Sequence, residues 1–139
     1  MVRMYLTREH VEVIKLLAKG DLSEEEAVST GHAGMSRATI GRRIIELYIQ
    51  GLVGRSRGKV YLTEAGEVLA NAIKDVESPT LPETWIDSRV VWLLRYTADT
   101  GYVPPYWEDL LLERMLWERE SGLTNLGKAV YEATGNRSR

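Results

Sequence analysis

Ile40, Ile44 and Leu47 fall at i, i+4 and i+7, and this helical repeat gives way within a few residues to two runs that read as strands. Ser36 precedes the repeat as an N-cap, behind a tight turn at Gly34-Met35. Gly51 follows it, where a C-cap glycine belongs. Leu52-Val53-Gly54-Arg55 and Lys59-Val60-Tyr61-Leu62 then predict a hairpin, with Ser56-Arg57-Gly58 at its tip and a glycine to supply positive φ. Thr63 caps a further helix that turns Ala65, Val68, Leu69, Ala72, Ile73 and Val76 inward. A helix, a hairpin and another helix in so short a stretch leave few folds open.

Upstream, Thr7 is placed to cap a helix over 8–19 with Val11, Ile14, Leu17 and Ala18 on one stripe, and Gly20 to stop it. Ser23-Glu24-Glu25-Glu26 predicts a capping box for a second, shorter helix, its glutamates suiting the positive end of the helix dipole. The spacing therefore predicts a mainly α chain with a small β-hairpin.

Charge is distributed unevenly along the chain. The net charge is −2 overall, but 11 Lys/Arg against 10 Asp/Glu give +1 over residues 1–75, and 7 against 10 give −3 over 76–139. Between Met35 and Leu62, Arg37, Arg42, Arg43, Arg55, Arg57 and Lys59 face Glu46 alone, for +5. A positive field confined to one segment suits a phosphate-facing surface whatever the total charge.

These residues carry a resemblance. Gly34-Met35-Ser36, the helix that follows, Gly51-Leu52-Val53, a basic hairpin and Leu62-Thr63-Glu64-Ala65-Gly66 resemble the MarR-like winged helix-turn-helix transcriptional regulators, with no insertion needed. The resemblance implies a winged helix-turn-helix DNA-binding domain over 1–76, with a recognition helix at 36–50 in the major groove and a wing at 54–60 on the backbone of double-stranded DNA. It assigns Ser36, Arg37 and Thr39 to phosphate or base contacts, Arg42 to the groove, and Arg55, Arg57 and Lys59 to the wing. Arg43 joins the set from nearer the buried edge. Helix N-termini favour anions, and an arginine fork matches the guanine edge, so physical chemistry supports the same roles. Ile45, Tyr48 and Ile49 depart from the pattern, being apolar where charged or polar residues are usual. They predict that this surface packs on something, and they favour the rival reading of a winged-helix protein-contact module.

Pro79 and Pro82 mark a linker over 77–86. Beyond it, residues 87–139 predict a helical region: a helix from Asp87 or Ser88 to Gly101, a long helix over 105–120, and a last one capped by Thr124. The 105–120 segment has two apolar stripes, which implies burial between two partners. Trp107, Leu110 and Trp117 are accordingly expected to build a homodimer, as winged-helix regulators pair through helices outside the reading head. The aromatic residues there would also suit a small-molecule effector, which nothing else in the sequence supports. One echo stands out. Leu62-Thr63-Glu64-Ala65-Gly66 returns 61 residues later as Leu123-Thr124-Asn125-Leu126-Gly127. The echo fits either a degenerate repeat that lacks a separate turn and recognition helix, a wing and a basic cluster, or a capped amphipathic helix that recurs by chance.

Other function classes find little support. With 44% hydrophobic and 27% charged residues the composition is globular, and no apolar run approaches the roughly 18 residues of a membrane span. No signal peptide is recognisable, so a cytoplasmic protein, on the nucleoid when bound to DNA, is expected. Absence of cysteine excludes disulfides, zinc-thiolate sites and thiol catalysis. His10 and His32 are expected at the surface, and no HExxH, phosphate loop or G-x-S-x-G occurs. No enzymatic activity, cofactor or metal is expected.

Overall fold

Thr7 sets the first helix boundary. In the computed structural model, which describes residues 4–20, 22–28 and 32–135, the Thr7 side chain accepts the His10 backbone N–H while the His10 ring accepts the Thr7 N–H. This is a capping box with histidine in the place usually taken by glutamate or glutamine. It opens α1 (Arg8–Leu17), directly behind β1 (Leu6–Thr7). After β2 (Leu22–Ser23), the Ser23 N–H donates to Glu26 and the Ser23 hydroxyl accepts the Glu26 N–H, opening α2 (Glu24–Val28) as expected. The expected end of that second helix, at 29–31, lies outside the described residues.

Ala33 and Gly34, both at positive φ, make the turn before α3 (Arg37–Ile49). Ile40, Ile44 and Leu47 are its buried face. Gly51, at φ +80°, turns the chain into β3 (Val53–Ser56). Arg57 and Gly58, both left-handed, form a two-residue loop into β4 (Lys59–Leu62), one residue tighter than the expected tip. β2 adds to the other edge of β4, giving the order β2-β4-β3. Thr63 then caps α4 (Glu64–Ile73).

The second half departs further from expectation. A 3-10 turn at Ser78–Thr80 leads to β5 (Thr84–Ile86), which pairs antiparallel with β1, Leu6 opposite Ile86. The expected linker over 77–86 is thus a structural strut: Leu81, Trp85 and Ile86 are essentially inaccessible. Trp85 Nε1 donates to the Arg114 carbonyl at 3.0 Å, and Arg114 Nε donates back to the Trp85 carbonyl at 2.8 Å. Asp87 caps α5 (Ser88–Thr100), which Gly101 ends at φ +75°.

The helix expected over 105–120 does not form as one piece. A 3-10 turn (Pro105–Trp107) runs into α6 (Glu108–Leu112); Met115 adopts φ +61°, and a second small hairpin follows, β6 (Trp117–Glu118) with β7 (Gly122–Leu123). The reason is local. The Leu116 N–H turns back to the Leu111 carbonyl, sending Leu116 into the core instead of continuing a helical stripe. The two apolar stripes belong to a helix stop and a strand start, and the hairpin fills a place where no wing was expected. The last described element is α7 (Asn125–Gly135), which lies along α4. Among the described residues there are seven α-helices and three small antiparallel sheets, and one hydrophobic core runs from Met4 to Ala133 across both halves.

Candidate nucleic-acid interface

The N-terminal end of α3 faces outward. Ser36 Oγ accepts the Thr39 N–H at 3.2 Å and lies 3.1 Å from the Thr39 hydroxyl, to which Arg42 Nη2 donates at 3.5 Å. Ser36, Arg37, Ala38 and Arg42 are exposed, and Thr39 and Gly41 half-buried. Arg55 on β3, Arg57 in the hairpin loop and Lys59 at the start of β4 are exposed as well. The Arg55 guanidinium sits over the Tyr48 ring, 5.8 Å from its centroid, which ties the hairpin to α3.

Arg43 behaves differently from the other cations. Its Nη1 donates to Glu46 Oε1 at 2.6 Å and its Nε to Glu9 Oε1 at 2.9 Å, so its fork is turned toward α1 rather than outward. The same Glu46 oxygen accepts from His10 Nε2 at 2.7 Å. Glu46, the one carboxylate between Met35 and Leu62, is therefore held by Arg43 and His10. Although partial desolvation pushes its pKa up, the hydrogen bonds from Arg43 and His10 hold it below the usual value.

His10, expected at the surface, is fully buried between these groups. Its Nδ1 takes the Thr7 N–H, so the ring proton belongs on Nε2, facing Glu46. Its place three residues after a capping threonine was the only sequence signal available, and histidine is not the residue normally read there. Burial lowers its pKa below 6.5, with Glu46 opposing the shift. The neutral ring is thus the form the fold favours. Stability should be complete above pH 6.5 and fall as pH drops below it, because the unfolded chain then binds the proton more readily. Urea midpoints between pH 8 and pH 5 check this, and a His10→Gln variant should lose that component of the slope. An unchanged slope in the variant would assign it elsewhere.

Ile45, Tyr48 and Ile49 stay exposed, at 48%, 49% and 71%, where the sequence predicts packing. Ile49 borders a cleft of about 380 Å³ with Met4, Tyr5, Gln50 and Ser88. Gln50 there pairs with the Tyr5 backbone, donating to its carbonyl and accepting its N–H, each at 2.9 Å. A second cleft, of about 300 Å³, lies between Ser88, Arg89, Trp92, Leu93 and Trp107. Of the three residues expected at a dimer interface, Trp107 is exposed, and Leu110 and Trp117 are half-buried against the chain's own core. Among the described residues no group of His, Asp and Glu side chains could hold a metal, and no helix is long and apolar enough to cross a membrane.

A mainly helical chain with one exposed basic head is the class that these features define. The chain belongs to the family described as Protein of unknown function (DUF505), whose profile matches residues 4–139. It is 28% identical over 129 residues to an uncharacterized protein of Methanocaldococcus jannaschii, an alignment covering 93% of this chain and 21% of that protein. The chain thus spans about a fifth of the length of this curated relative. No solved structure matches it.

Proposed function

We propose that the first half of the chain is a winged helix-turn-helix that binds double-stranded DNA as a transcriptional regulator of the MarR-like kind, working in the cytoplasm on the nucleoid. α3 enters the major groove and the β3–β4 hairpin rests on the phosphate backbone. One observation carries this reading. Five exposed cations, Arg37, Arg42, Arg55, Arg57 and Lys59, lie on α3 and the hairpin. Ser36 and Thr39 add hydroxyls at the positive end of α3. Arg43 supports α1 and is left out of the contact set.

The test is binding to random-sequence duplex at 50 mM salt and above. Affinity should fall steeply with salt, and replacing Arg57 and Lys59 by alanine should reduce the log–log slope by about 2. Arg42→Ala should cost about 1–3 kcal/mol at a selected site and relax base preference there. No binding at 50 mM salt would sink the proposal. The second reading, a protein-contact module without specific DNA binding, is favoured by the exposure of Ile45, Tyr48 and Ile49. In that case alanine at Ile45 and Ile49 would abolish partner capture, and the wing variant would leave it intact.

A further inference from the structure

The two halves of the chain follow one plan well beyond the echo in their sequence. Each opens with a short strand and a capping residue, β1 and Thr7 before α1, β5 and Asp87 before α5. Each then has a helix stopped by a residue at positive φ, Gly51 or Met115. The next N–H turns back five residues, Leu52 to Leu47 and Leu116 to Leu111, both at 3.0 Å. After the hairpin, the N–H of Thr63 or Thr124 donates to the carbonyl of Leu52 or Leu116, at 3.1 Å in both cases. Their hydroxyls donate to the Gly51 and Met115 carbonyls at 2.6 and 2.7 Å. Finally, a Cβ on Gly66 or Gly127 would lie 2.0 or 2.2 Å from those same Leu52 and Leu116 oxygens. A chance recurrence of a capped amphipathic helix explains none of these matches outside the helix itself.

Counterparts also meet one another. Leu6 and Ile86, each just before its capping residue, face each other in the antiparallel β1–β5 pair, and α4 lies along its own counterpart, α7. A surface that contacts its own copy is the mark of a two-fold interface. Such an interface normally joins two subunits; here it lies within one chain.

The two heads, however, have opposite charge. The first has α2, the Ala33-Gly34 turn and a 13-residue α3, with six basic residues against four acidic over 22–62, for +2. The second has only residues 102–104 between Gly101 and its 3-10 turn, and a five-residue α6. Over 105–123 it carries Arg114 and Arg119 against Glu108, Asp109, Glu113, Glu118 and Glu120, for −3, and Arg114 is buried. A phosphate backbone is attracted to the first head and repelled by the second.

We infer that the chain binds as a monomer to a single, non-palindromic stretch of duplex DNA, one head reading it and the other replacing the partner subunit. This rests on the DNA-binding reading above. Sedimentation of the 139-residue chain at tens of micromolar, with and without a selected duplex, tests it alongside hydroxyl-radical footprinting. The expected results are a 15.8 kDa particle, a one-to-one complex, and protection confined to roughly one helical turn of about 10 bp. Two chains per complex, or two equally protected half-sites, would overturn the inference and leave DNA binding itself standing. A 15.8 kDa particle that binds no DNA would overturn the functional reading, and the single-site inference with it.

Discussion

Gly66→Ala is expected to destabilise the chain by about 2 kcal/mol or more, and Gly127→Ala by a similar amount. Alanine would ordinarily favour a helix by about 1 kcal/mol over glycine, so the sign is the informative part. Both glycines sit in the first turn of a helix, where the backbone presses against a carbonyl oxygen of the residue that follows the preceding helix stop. That oxygen, of Leu52 or Leu116, also accepts the N–H of the capping threonine and cannot withdraw freely. A Cβ there must push helix and hairpin apart. Urea unfolding measures the loss, with exposed Glu67→Ala as a control expected within about 0.5 kcal/mol of the parent. A stabilised Gly66→Ala would mean that the close approach is absent in solution.

Trp85→Ala should be costlier still, about 3–5 kcal/mol, against the 5–15 kcal/mol typical of a whole domain. The indole is fully buried, and its removal leaves a large void and orphans the Arg114 carbonyl that it bonds. Since β5 pairs with β1, and Trp85 and Arg114 bond reciprocally, the loss should lower a single unfolding transition rather than release one half of the chain. The observable is a fall in urea midpoint at constant slope. A loss below about 1 kcal/mol would return residues 77–86 to the role of a spacer.

The parts of the fold legible in the sequence are those set by local chemistry. Thr7, Ser23 with Glu26, Ser36, Thr63 and Asp87 all cap helices, and Gly51 and Gly58 take the positive φ their positions demand. What stayed hidden either leaves no mark in residue type or depends on partners far along the chain. The stop after α6 falls at Met115, a residue that gives no signal for a left-handed conformation, so two short apolar runs read as one helix. β1 and β5 have two and three residues, too few to show alternation, and they exist only because they pair with each other. Pro79 and Pro82 mark a real irregularity, yet Trp85 just beyond them is a core residue. In the candidate site, the cations are legible from the charge pattern, on a helical repeat for Arg37 and Arg42 and on a hairpin for Arg55, Arg57 and Lys59. The roles of Arg43 and His10 are not, because their carboxylate partners, Glu9 and Glu46, sit on opposite sides of the α1–α3 contact.

The packing of α4 along α7 and of β1 against β5 has a consequence for how the molecule responds to dilution. Two separate subunits would come apart once their concentration fell below the dissociation constant, and their melting temperature would shift with the amount of protein present. Here the halves are joined covalently, which holds each at a high effective concentration toward the other at any total concentration. At a handful of molecules per cell, the interface would be as fully formed as it is in a concentrated sample.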